Sequence, residues 1–418
     1  MEVTMNKTYR TLVEITDFGP FVSKIILPVA FEIKKGEISK KHFMVYVERK
    51  HQKTGELIMD CLGWGETESF PSKGYIEIQD AYPADEEGNR VEVGTYITLI
   101  MPTMPFFRLT SKLAMEGYFN TYCYNDFNIS QVKEIKTANQ NVVGLFYDQC
   151  IQEIMPEKEG WINSCSTNEK MPLKYGYFPP RIGSGKRPLI IWLHGGGEGG
   201  QDPVIAYTSN QVTNLAKESK QQLFGGAYIL APQSPTMWMD DGTEIIGKEG
   251  KSVYIEAVKA LIDEFISLHD DIDIQRIYIG GCSNGGFLTM RMIIEYPDFF
   301  RAAYPVCQAL FDDKISDDEL KRIKDIPIWF THSKDDAIVD PEKTVIPTYK
   351  RLIALGSKDV HLSYFGQVID SRGYVYENFG HASWIQMLND DCRLDYDGKP
   401  VIIDGEEVSL LQWLAKKG

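Results

Sequence analysis

The chain has 418 residues, 43% hydrophobic and 25% charged, which are ordinary globular values. That length exceeds one ordinary small core, so two domains are expected. The formal net charge of −15 argues against nucleic acid or an anionic membrane surface as a partner and is read as a solubility feature. Met1 to Lys7 lack an apolar h-region, and no stretch is long and apolar enough to span a membrane. No signal peptide is therefore expected in this sequence. The seven cysteines include no C-x-x-C pair, which suggests neither a structural zinc site nor a disulfide framework. Reduced thiols in a cytoplasm fit these features, with secretion after removal of a leader as the alternative.

The first third reads as strands. Thr11–Ile15, Val22–Val29, Phe43–Val47, Gly74–Ile78 and Thr95–Ile100 are short and rich in β-branched or aromatic residues. Turn-forming runs such as Asp17-Phe18-Gly19-Pro20 and Glu87-Gly88-Asn89 separate them. Ser130–Ile135 is a further predicted strand. No long amphipathic helix interrupts the series, so residues 1–148 are predicted to form a small β-sandwich.

From residue 149 to 418 strands and helices alternate. Arg187–Leu193, Ala227–Leu230, Ile326–Phe330 and Val360–Tyr364 are apolar strand runs. Between them, Val253–Leu268 carries apolar residues at a helical period, with Ser252 as the predicted N-cap. Such a pattern predicts an α/β domain: a mostly parallel sheet with helices on both faces. Active sites in such sheets lie beyond the C-terminal ends of the strands.

The most informative segment is Gly280-Gly281-Cys282-Ser283-Asn284-Gly285, set between an apolar strand, Arg276–Ile279, and a helical stretch, Phe287–Tyr296. Strand, G-x-S-x-G, helix is the pattern of a sharp turn that presents a serine hydroxyl above the sheet. Ser283 is thus a candidate nucleophile. The strand ending at Leu193 runs into His194-Gly195-Gly196-Gly197-Glu198-Gly199-Gly200, whose bare backbone N–H groups suit a developing oxyanion. Gly195 and Gly196, together with Asn284, are the expected donors. The same run also fits G-x-G-x-x-G, but Pro203 follows soon and the next strand ends in Ala231-Pro232-Gln233 without an acidic residue. A P-loop frame at Gly242–Lys248 fails because Glu249 stands where Ser or Thr is required.

A base and an acid should follow Ser283, in the order acid then histidine. The later histidines are His332, His361 and His381. His361 lies inside a strand pattern and reads as structural. His332 ends a strand beside the acid candidates. His381 lies in the loop Phe379-Gly380-His381-Ala382-Ser383-Trp384 and is the predicted general base. For the acid, Asp335, Asp336 and Asp340 compete, and Asp336 is chosen. Gln233, Trp238 and Trp384 are candidate substrate-lining residues, although loop packing explains the first two equally well. Asp397-Gly398 and Asp404-Gly405 read as turns rather than a calcium loop, because Arg393 stands at the first-ligand position.

These residues carry a resemblance. His194–Glu198, Ala231-Pro232-Gln233, Gly281–Gly285, His332 through Asp336 to Val339, and Gly380–Trp384 resemble the α/β-hydrolase superfamily. They are most similar to two-domain bacterial esterases with an N-terminal immunoglobulin-like domain, related to polyhydroxybutyrate depolymerases and to feruloyl and acetylxylan esterases. The resemblance implies that a His-Gly-x-x-Asp-x-x-Val segment carries the acid, which falls on His332, Asp336 and Val339; Ser333 departs from the usual glycine. It further implies a serine carboxylesterase acting through an acyl-enzyme on Ser283. No metal or organic cofactor is expected. The substrate would be a small or polymer-linked ester, with homo-oligomerisation left open. Two alternatives remain: a serine peptidase of the prolyl oligopeptidase type, and a non-catalytic binding protein that uses the sandwich.

Overall fold

A computed structural model describes residues 8–61, 68–376 and 379–418; the N-terminal segment read for leader features lies outside them. The chain divides into two compact units, one ending at Glu159 and the other running from Gly160 to Gly418. No described helix is long and apolar enough to cross a membrane.

The first unit is a sandwich of two sheets. One has the strand order Gln149–Ile154, Thr8–Thr16, Gly19–Lys34, Val93–Ile100, Asp80–Ala84. The other runs Phe146–Tyr147, Phe119–Gln131, Phe43–His51, Lys73–Ile76, with Leu113–Glu116 paired to Phe119–Gln131. Inward residues of both sheets form one core, including Val13, Val22, Ile25, Val45, Val47, Ile97, Leu99, Phe127 and Ile129. The boundary predicted at 148/149 needs correction. Gln149–Ile154 pairs in parallel with Thr8–Thr16, so this strand belongs to the sandwich.

The predicted strand Ser130–Ile135 also needs correction. The long strand is Phe119–Gln131, and Ile135–Lys136 starts a separate two-residue pairing with Asn141–Val142. Asn120, Asn125, Asp126 and Asn128 disfavour strands in isolation. Tertiary partners reverse that preference: buried Asn125 donates to the carbonyls of Leu109 and Ser111 at 3.1 Å, and Asp126 pairs with Lys50 at 2.6 Å.

The second unit holds an eight-stranded sheet. Its strands are β1 (Ile162–Cys165), β2 (Lys174–Phe178), β3 (Arg187–Leu193), β4 (Tyr228–Gln233), β5 (Ile272–Cys282), β6 (Ala302–Val306), β7 (Ile328–Ser333) and β8 (Val360–Phe365). The spatial order is β1-β2-β4-β3-β5-β6-β7-β8, antiparallel over β1, β2 and β4 and parallel from β4 onward. Every residue of β3 is buried. Leu189, Ile191 and Leu193 of β3 enter one apolar cluster, which includes residues of the helix Ile255–Leu268. Ile190 and Trp192 enter a second, with residues of the C-terminal helix Leu410–Ala415. That split is the two-faced burial expected of a parallel sheet covered on both sides. The chain order reverses at β3, whose neighbours are β4 and β5, and the functional loops leave the sheet there.

Side-chain hydrogen bonds cross between the two sheets of the sandwich. The N–H of Phe127 donates to the Tyr9 hydroxyl at 2.9 Å, and both residues are fully buried. Tyr9→Phe strands that N–H, so it should destabilise the sandwich by about 1–3 kcal/mol. Denaturant unfolding of the full chain checks this; an unchanged midpoint would show that the bond contributes nothing.

Candidate active site

Ser283 stands between β5 and the helix Asn284–Glu295 with φ 55° and ψ −116°, a strained conformation for a residue with a side chain. The surrounding backbone holds it there. Its N–H donates to the Val306 carbonyl at 2.9 Å, and its carbonyl accepts from Phe287 and Ala309 at 2.9 and 3.3 Å. The flanking glycines are required by close approach rather than by their own dihedral angles. A Cβ on Gly281 would lie 2.3 Å from the Leu193 carbonyl oxygen, and one on Gly285 would lie 1.9 Å from it. Asn284 is the first helical residue, so its N–H has no intrahelical acceptor. Its side-chain oxygen accepts the Met239 N–H at 2.9 Å.

His381 lies in the 3₁₀ turn Gly380–Ala382, beyond β8. A Cβ on Gly380 would sit 2.4 Å from the Asp335 carbonyl, so glycine lets this turn press against the loop that carries the acid. His381 Nδ1 is 2.8 Å from Asp336 Oδ2. The other carboxylate oxygen accepts the N–H groups of Ile338 and Val339, both at 2.9 Å. Burial pushes the Asp336 carboxyl up, but hydrogen bonds from His332 and His381, the His381 charge and the Val339 N–H outweigh it and hold the group well below the usual carboxylate range. Asp335 faces the Ser333 hydroxyl instead, and Asp340 pairs with Lys343 at 3.1 Å. His361 is held by Asp395 at 2.7 Å and Asp359 at 3.3 Å. The Cys307 thiol is buried, and burial pushes it far up so that it stays neutral.

The glycine loop is built around two buried ionisable groups. His194 Nδ1 bonds the Gly195 carbonyl at 2.6 Å, and Nε2 accepts the Ser234 N–H at 3.0 Å. Burial lowers this imidazole to about 4. Glu198 is buried under the loop, its own N–H donates to the Gly195 carbonyl at 3.4 Å, and burial raises its carboxyl to about 7.

Two family models cover most of the chain. Residues 8–144 match the esterase Ig-like N-terminal domain, and residues 183–390 match the phospholipase/carboxylesterase model. The chain belongs to the α/β-hydrolase superfamily. It is a hydrolase of the esterase type with an Ig-like domain ahead of the hydrolase domain. A solved thermostable esterase shares the fold, with a TM-score of 0.69 at 23% identity over 92% of this chain and 96% of that one. A 127-residue segment is 28% identical to poly(3-hydroxyalkanoate) depolymerase C of Paucimonas lemoignei and spans 28% of this chain and 27% of that protein, little more than a quarter of its length.

Within this α/β-hydrolase two expected substrate residues need correction. Gln233 is buried and donates to the Glu198 carbonyl at 2.9 Å, and Trp238 is fully buried between the His194 and Tyr254 rings. Both brace the glycine loop instead of facing an open pocket. Trp384 is partly exposed and meets the His381 ring edge-on, with centroids 5.8 Å apart. A cavity of about 330 Å³ lies at the opposite, N-terminal end of the strands, among Ile274, Phe300, Arg301, Arg322 and Pro327, with no serine, cysteine or histidine in its wall. The residues missed in the sequence are His332 as a bonding partner of Asp336 and Gly380 as a contact point. Their signal is only that each stands inside a motif already chosen for another residue.

Glu198 and His194 bear on stability with opposite signs. His194 stays neutral in the fold down to about 4 but takes a proton in the unfolded chain below its ordinary 6.5, so stability falls as pH drops through that window. Glu198 keeps its proton in the fold up to about 7 but loses it in the unfolded chain above 4.5, so stability falls as pH rises through that window. Glu198→Gln removes only the second effect. It should gain on the order of 3 kcal/mol over wild type at pH 8 and converge with it near pH 4. Thermal unfolding at both pH values tests this, and equal stability at pH 8 would refute it. Gly285→Ala, whose methyl would meet the Leu193 carbonyl, should cost about 3 kcal/mol or more in the same assay.

Proposed function

We propose that this esterase-type hydrolase is a serine carboxylesterase working through an acyl-enzyme. The observations that carry this reading are the 2.8 Å contact between His381 Nδ1 and Asp336 Oδ2 and a serine held on a strained strand-to-helix turn. With Nδ1–H donated to Asp336, Nε2 is left as the basic nitrogen. It takes the Ser283 proton as Oγ attacks the ester carbonyl. The carbonyl oxygen becomes an oxyanion, which N–H groups of Gly195 and Gly196, with that of Asn284, would receive. Collapse of this intermediate expels the alcohol, and the His381 proton goes to the leaving oxygen. Water then repeats the sequence on the acyl-Ser283 ester, His381 taking its proton, and releases the carboxylic acid and the free serine. Asp336 remains ionised throughout and holds the imidazole tautomer. Trp384, edge-on to His381, would wall the acyl site.

Small esters and polymer-linked esters both fit this chemistry. The similarity of one segment to a poly(3-hydroxyalkanoate) depolymerase favours including a polyester among the substrates tried. Ser283→Ala should remove ester hydrolysis, with kcat falling by about 10⁶ because the triad acts as a unit. The assay is p-nitrophenyl acetate hydrolysis, with fluorophosphonate labelling counting reactive serines. More than about 1% residual activity in the pure variant, well above the loss expected for a nucleophile, would sink the assignment. Cleavage of a peptide amide at rates matching the ester would favour the peptidase alternative.

A further inference from the structure

His332 is fully buried near the end of β7, and the reaction as derived does not use it. Its Nε2 is 3.1 Å from Asp336 Oδ2 and 3.1 Å from the Val339 carbonyl oxygen. Both neighbours only accept, so the hydrogen sits on Nε2. Nδ1 is buried without a hydrogen-bond partner among the described residues. A leucine or phenylalanine would fill the same space without an orphaned nitrogen, which is itself unfavourable. Packing therefore does not account for an imidazole here; the hydrogen it gives Asp336 does.

The Asp336 carboxylate receives four donors. Ile338 and Val339 hold Oδ1 from the backbone, while Oδ2 is shared by His381 at 2.8 Å and His332 at 3.1 Å. Oδ2 is the oxygen that must stabilise the imidazolium formed when His381 accepts the serine proton. A second donor on that oxygen takes part of its charge and also fixes it in place.

We infer, on the esterase reading above, that His332 is a positioning residue: by sharing Oδ2 it clamps Asp336 in register with His381 and moderates the basicity the carboxylate confers on that histidine. Other titratable groups near the pair include the Cys307 thiol, which burial pushes far up so that it stays neutral, and the partly exposed Asp340 carboxylate, which Lys343 and the Glu342 N–H keep ionised. Neither offers Asp336 a replacement cation or a strong donor.

The experiment compares wild type, His332→Phe and His332→Gln in the full chain, the glutamine amide reaching about as far as imidazole Nε2. The readout is kcat and kcat/KM for p-nitrophenyl acetate between pH 5 and 9, normalised to sites counted with a fluorophosphonate. In His332→Phe the acid limb should move up by about half to one pH unit, and plateau kcat should fall about 10- to 100-fold with KM nearly unchanged. His332→Gln should return the limb toward wild type. A purely structural role would lower the melting temperature and the number of active sites but leave the limb where it is, and that result overturns the inference. If His332→Phe does not fold, ¹⁵N-histidine NMR of wild type and His332→Gln decides. Two downfield imidazole protons, one on Nε2 that vanishes in the variant, support the clamp; a His332 hydrogen on Nδ1 overturns it. Activity surviving in Ser283→Ala would overturn the esterase reading itself, whereas an unmoved limb with serine-dependent activity overturns only the role of His332.

Discussion

Backbone contact without side chains is the constraint on which this active site rests. The Leu193 carbonyl at the end of β3 occupies the space where Cβ atoms of Gly281 and Gly285 would stand. That approach lets β5 turn sharply into the helix Asn284–Glu295 and forces Ser283 into its positive-φ conformation. It also brings the glycine loop after β3 beside the first N–H groups of that helix. The proposed nucleophile and oxyanion donors are therefore positioned by one contact between neighbouring parallel strands. The same device recurs at Gly380, where a missing side chain lets the histidine turn lie on the acid loop.

The site contains buried ionisable groups of two kinds. Asp336 is buried but richly supplied with donors, and its carboxylate stays charged because the bonds to its anion exceed the desolvation penalty. Glu198 and His194 are buried with too few partners for their charged forms, so burial dominates and both favour neutrality. In the proposed mechanism the group that orients the imidazolium carries charge, and the donors around Asp336 supply the means.

The sandwich follows a simpler rule, one core between two sheets, fastened where a strand N–H would otherwise be orphaned. Tyr9 reaches across to Phe127, and the Tyr147 hydroxyl donates to the Pro28 carbonyl at 2.9 Å. Aromatic bodies fill the core while their hydroxyls settle backbone groups that no ladder can reach.

Features carried by local chemistry were legible in the chain. Gly281 to Gly285 between an apolar strand and a helical period specify a serine turn, because such a turn tolerates few other residues. The apolar runs of β3, β5 and β7 specify a buried parallel sheet, because only strands covered on both faces read that way. Four things were decided by tertiary contact alone. Asp335, Asp336 and Asp340 are alike over a few residues, and only the position of His381 selects Asp336. Phe119–Gln131 is a strand despite its asparagines, because Leu109, Ser111 and Lys50 supply partners from elsewhere. Gln233 and Trp238 stand at a strand end, where pocket residues gather, yet the folded loop closes over them. His332 passes for an ordinary strand-end histidine until its Nε2 is found on the oxygen that His381 also needs. Local sequence constrains backbone conformation and burial period; which polar atom meets which is settled only when distant segments are packed together.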